Sequence, residues 1–77
     1  MNSKELFLRE INLLGGPRKA ARCISEVLGK PVGYSRVWAT MHRNQSIAPD
    51  LCMAIEILSD DRVQREQLNP FNIIPRD

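Results

Sequence analysis

An all-α domain of four to five short helices is what this sequence predicts, on three observations. Apolar residues recur at helical spacing in four separate segments, and no segment alternates with period two. Glycine or proline punctuates most of the joins between those segments, as expected where helices stop and start. The chain is 43% hydrophobic and 26% charged with few aromatic residues, a globular composition. Its 77 residues suit one domain, which at this size buries roughly 60–65% of the unfolded surface.

The first helix is predicted over residues 3–14: Ser3 serves as N-cap, Glu5 sits in the first turn, and Leu6, Phe7, Ile11 and Leu14 repeat at helical spacing. Gly15-Gly16 ends it. Pro17 suits the first position of a second helix, where its missing N–H costs nothing, and Ala20, Ile24, Val27 and Leu28 form its apolar stripe up to Gly29. Residues 30–33, Lys-Pro-Val-Gly, read as a turn. A third helix is predicted over residues 34–43 with Val37 and Met41 facing inward, followed by a polar loop at Asn44-Gln45-Ser46. Pro49 and Asp50 mark the start of a fourth, whose inner face is Leu51, Ala54, Ile55 and Leu58 and which stops in Ser59-Asp60-Asp61. Val63 and Leu68 suit one short helical turn, and Pro70 and Pro75 bracket an apolar tail, Phe71-Asn72-Ile73-Ile74, that fits an extended segment or a small strand. The domain is therefore expected over residues 1–69, with residues 70–77 as a tail.

No apolar run approaches the length of a bilayer span, and the first residues lack the basic-then-apolar pattern of a signal peptide, so a cytoplasmic protein with no membrane partner is expected. Cys23 and Cys52 are far apart among apolar neighbours and read as reduced core thiols rather than as the one disulfide they could form; His42 matches neither at metal-ligand spacing. Met41 and Met53 read as core fillers. No metal and no cofactor are expected. Catalysis needs a nucleophile, base or metal, and no Ser/His/Asp or Cys/His set, phosphate loop or paired-carboxylate motif is present, so neither an enzyme nor a small-molecule substrate is expected.

The net charge of +2 becomes informative once divided along the chain. Residues 1–16 are neutral. Residues 17–43 carry +5, from Arg18, Lys19, Arg22, Lys30, Arg36 and Arg43 against Glu26, and residues 44–77 carry −3. A positive middle suits a polyanion. Two short helices joined by a tight glycine-led turn, inside that stretch, match a helix-turn-helix, in which the second helix lies in the major groove while the first crosses the phosphate backbone. Ile24, Leu28, Val37 and Met41 supply the inward contacts this requires.

The sequence resembles the Cro-type phage repressors and the YdaS-like prophage regulators. The resemblance runs through residues 21–29 (ARCISEVLG), Val37-Trp38, residues 47–56 (IAPDLCMAIE) and residues 63–70 (VQREQLNP), spanning about two thirds of the chain. It implies a small lambda-repressor-like helical domain that binds operator DNA, commonly as a dimer. Relative to the usual turn of such proteins, Lys30-Pro31 looks like a two-residue insertion when Val37 is the inward residue of the third helix. That register buries Val37 and Met41 and leaves Thr40 where an aromatic is common; the register without the insertion puts Trp38 inward and buries Ser35. Whether Trp38 is core or DNA-facing follows from that choice.

The expected function is sequence-specific regulation of transcription, repressing a phage or prophage promoter from double-stranded operator DNA as a homodimer. Arg36 and Arg43 suit bidentate contacts to guanine or clamps on phosphate. Tyr34 and Ser35 stand at the helix end that reaches base edges, with Trp38, Ala39 and His42 further along the same helix. Arg18 and Lys19, at the positive end of the second helix, suit backbone phosphates, as does Lys30 in the turn. Tyr34 packing and His42 facing solvent are the simpler alternatives. The tail is the expected added dimer contact, unless it folds back on its own core. A rival function is a small interaction factor or antitoxin whose acidic C-terminal half binds a host or toxin protein.

Overall fold

The computed structural model describes residues 2–43 and 46–71, and these are all-helical. The helices are α1 (Ser3–Leu13), α2 (Pro17–Leu28), α3 (Tyr34–His42), α4 (Pro49–Leu58) and a single turn, α5 (Arg65–Leu68). The radius of gyration is 11.0 Å, against about 11.5 Å expected for a compact chain of this length. Among the described residues no helix is long and apolar enough to cross a membrane.

Helix α1 begins one residue earlier than its serine suggests. Asn2, not Ser3, is the N-cap: its side chain accepts the Glu5 N–H at 2.8 Å, while the Glu5 carboxylate accepts the Asn2 N–H at 3.2 Å, a reciprocal capping box. Ser3 instead donates its hydroxyl to the Gln67 carbonyl at 2.9 Å, tying the start of α1 to α5. Leu14 and Arg43, expected within helices, are the C-caps of α1 and α3. Gly15 and Gly16 hold φ of +103° and +99°, values that only glycine adopts without strain, and they turn the chain directly into Pro17.

Phe7 and Ile11 of α1, Ala20 and Ile24 of α2, Val37 and Met41 of α3, Leu51, Ala54 and Ile55 of α4 and Leu68 of α5 meet in one core. Burying each larger side chain contributes about 1.5–3 kcal/mol, which is what holds helices too short to persist alone. Val32 from the turn and Ile47 and Val63 from the connections also lie inside.

Two ion pairs fasten the C-terminal part. Arg62 makes a two-pronged contact with the buried carboxylate of Glu10 at 2.7 Å on each side. Glu56 and Arg65 are both buried; the Glu56 carboxylate accepts the Arg65 main-chain N–H at 2.8 Å and its guanidinium at 2.9 and 3.2 Å. The expectation of an acidic turn at Asp60-Asp61 holds, with an added cost, because both residues adopt positive φ (55° and 64°). Phe71 is 94% exposed and does not fold back on the core; residues 72–77, including Ile73 and Ile74, lie outside the described residues.

Candidate nucleic-acid interface

The turn between α2 and α3 is fixed by one side chain. Gly29 closes α2 in the left-handed conformation (φ 67°). The Ser25 hydroxyl, inside α2, then accepts the Val32 N–H at 2.9 Å, with the carbonyls of Ala21 (2.7 Å) and Val32 (3.1 Å) as its own acceptors. Val32 is buried, so the chain is pinned by main chain and side chain together immediately before α3 begins at Tyr34.

In α3 the inward residues are Val37, Thr40 and Met41, so Val37 and Met41 face the core as their spacing predicts. Thr40 is buried and satisfies its hydroxyl on the Arg36 carbonyl at 2.9 Å. At about 100° per residue, the direction opposite this core falls on Ser35, Ala39 and His42. Trp38 and Tyr34 flank that line on one side and Arg36 on the other, with Arg43 following at the C-cap. Trp38 is half-buried rather than core. The middle of the outward face near its N-terminal end thus carries the two small residues, between larger side chains.

The larger side chains are pre-packed. Arg18, from the first turn of α2, lies 4.5 Å from the centre of the Tyr34 ring. Arg43 lies 5.3 Å from the Trp38 ring, whose centre is 4.6 Å from that of His42. Stacking of this kind is worth about 0.5–1 kcal/mol at exposed sites and fixes where each cation sits. Lys19 is exposed, with its stem over Gly15.

Lys30 and Arg36 converge on Asp50, in the first turn of α4. Arg36 donates two parallel bonds, at 2.9 and 2.7 Å, and Lys30 lies at 3.0 Å. Asp50 also accepts the Leu51 N–H at 2.9 Å. The Arg36 hydrogen bonds, helped by Lys30, hold the Asp50 carboxyl at about 2, below the usual range, against the opposing effect of burial. The sequence places Asp50 only as a helix-start residue; nothing in its spacing from Lys30 or Arg36 signals the cluster, because it forms across the fold.

Of the residues singled out from the sequence, Arg18, Lys19, Lys30, Tyr34, Ser35, Arg36, His42 and Arg43 are exposed, and Trp38 and Ala39 are half-buried. Elsewhere, Cys23 is half-buried and Cys52 fully buried, both free; burial, and secondarily Asp50, pushes the Cys52 thiol up to about 11. Among the described residues no three His, Cys, Asp or Glu side chains gather where a metal ion would be held. A cleft of about 160 Å³ between α1 and α4 is lined by Leu13, Leu14, Ile55 and Leu58, and its charged groups, Glu10 and Arg62, bind each other. No protein-family model, curated protein or solved structure matches this chain.

Proposed function

We propose that this protein is a helix-turn-helix regulator that binds double-stranded DNA, with α2 against the phosphate backbone and α3 in the major groove. The observation that carries the reading is the outward face of α3. Ser35 and Ala39 let the helix approach base edges closely, while Arg43 alongside, and Arg18 and Lys19 from α2, supply cations where phosphates would pass. A groove about 12 Å wide accepts one helix of this kind. Cations already stacked on Tyr34 and Trp38 lose less freedom on binding than unrestrained arginines. Few side chains reach the bases from one such helix, so a homodimer on a two-fold operator, acting as a repressor, is the form proposed.

The rival, an interaction module using an acidic C-terminal half, draws less support. Two of that half's carboxylates, Asp50 and Glu56, are engaged with arginines of the same chain. The test is selection of duplexes from a randomised library, followed by binding titrations of selected and unselected duplex at several salt concentrations. Enrichment of a two-fold sequence bound at least a thousandfold more tightly than unselected duplex is expected. Absence of enrichment, with binding indifferent to salt, refutes the reading.

A further inference from the structure

We propose that Asp50 is a specificity-determining residue of the DNA-binding face: by holding Arg36, it converts a phosphate-seeking cation into a fixed hydrogen-bond donor for a base edge. The inference rests on the DNA-binding reading above and adds a residue on a different helix, one that does not itself contact the nucleic acid.

The geometry supplies the argument. An arginine has five N–H donors. Asp50 takes one from each terminal nitrogen of Arg36, at 2.9 and 2.7 Å, so the Nε–H and a further N–H on each terminal nitrogen remain. The Nε–H and its neighbour form a second parallel fork, the shape that matches the paired O6 and N7 acceptors of guanine. Arg36 stands in the first turn of α3, and its side chain is 41% exposed although it is held. Asp50 is itself held, by Lys30 and by the Leu51 N–H, and only 18% of its side chain is exposed, so the buttress does not swing.

The charge arithmetic points the same way. Lys30, Arg36 and Asp50 together carry +1, where the two cations alone would carry +2. A cation neutralised by a carboxylate releases fewer counterions on binding phosphate and gains less from random duplex. A held fork also loses no rotamer freedom when it meets the correct base. Both effects widen the ratio between the right sequence and any other without raising total affinity.

The test uses the full chain, a duplex selected by it from a randomised library, and an unselected duplex of equal length. With Asp50→Asn, binding to unselected duplex is expected to strengthen about tenfold at low salt. Its salt slope should steepen by roughly one to two, about 0.9 per cation freed for phosphate. Binding to the selected duplex should not strengthen, so the ratio narrows at least tenfold. A merely structural role for Asp50 would weaken both DNAs together, and that result, or an unchanged ratio and slope, overturns the proposal. Arg36→Ala supplies a readout that does not need the Asp50 variant to fold: it should weaken the selected duplex about 10- to 100-fold and leave the slope on unselected duplex unchanged. Equal losses on both DNAs would show Arg36 to be a phosphate clamp and overturn the inference while leaving the DNA-binding reading intact. A wild-type chain that binds no duplex removes both.

Discussion

Replacing Arg65 with methionine is expected to cost this small domain a large part of its stability. The Glu56 carboxylate is 6% exposed and the Arg65 side chain 9%, so the pair is withdrawn from water. Arg65→Met keeps the main-chain N–H on Glu56 but removes the guanidinium contacts at 2.9 and 3.2 Å. Breaking a buried pair by removing one partner costs about 3–5 kcal/mol, since a buried charge loses its counter-charge. A chain of 77 residues has about 4–12 kcal/mol in all. At about 4–8 °C per kcal/mol for this size, the melting temperature should fall by at least about 12 °C. Adding Glu56→Gln removes the buried charge while retaining an acceptor for the main-chain N–H, so the double variant should melt well above the single one. Thermal melts followed by far-UV circular dichroism at neutral pH decide it. A single variant melting within a few degrees of wild type, or a double variant no better than the single, would refute the claim that the charge is buried and held by this arginine.

Three further outcomes are expected. Arg36 and Lys30 hold the Asp50 carboxyl at about 2 when folded, below its unfolded value of about 3.9, so its contribution is complete above about pH 5 and lost as pH falls toward 2. Because both cations are half-exposed, that contribution is on the order of 1 kcal/mol, and urea melts at pH 5 and pH 2.5 should show Asp50→Asn losing less stability on acidification than wild type does. Gly15→Ala should destabilise by about 1–3 kcal/mol, since it forces φ of +103° on an L-residue and brings its Cβ within 2.6 Å of the Lys19 stem; a neutral urea melt would contradict this. Phe71, 94% exposed, is expected to contribute to self-association, so Phe71→Ser should associate more weakly than wild type in sedimentation equilibrium, and identical association would discard the tail as a dimer contact.

Helical periodicity and glycine-proline punctuation are local properties, and the features that depend on them were legible. The limits of α2 and α4 follow from Pro17 with Gly29 and from Pro49 with Ser59, and the inward side of α3 follows from Val37 and Met41. Charge pairing across the fold was not legible. Glu10 reads as one member of a neutral N-terminal segment, yet it is buried and clasped by Arg62, 52 residues away. Glu56 and Asp50 read as members of an acidic half, yet each belongs to an arginine brought to it by the packing of helices. The Asn2 cap was missed for a different reason: asparagine and serine are both good caps, and only the main-chain angles at residue 2 select between neighbours. At the candidate interface, the residue types were readable, but the stacking of Arg18 on Tyr34 required α2 and α3 to be placed against each other.

The Ser25 anchor bears on how a chain of this architecture can diversify. Because Val32 is fastened both by its side chain in the core and by its N–H on the Ser25 hydroxyl, the orientation of α3 is set after Lys30 and Pro31, not by them. Both residues are exposed, strung between the end of α2 and a fixed point. Exchanges at Pro31 can alter the surface beside the outward face without repacking either helix, whereas Lys30 also holds Asp50 at 3.0 Å. Scaffold and surface are in this way separable at Pro31, a natural place for libraries to vary the surface beside α3, provided Ser25, Lys30 and Val32 are kept.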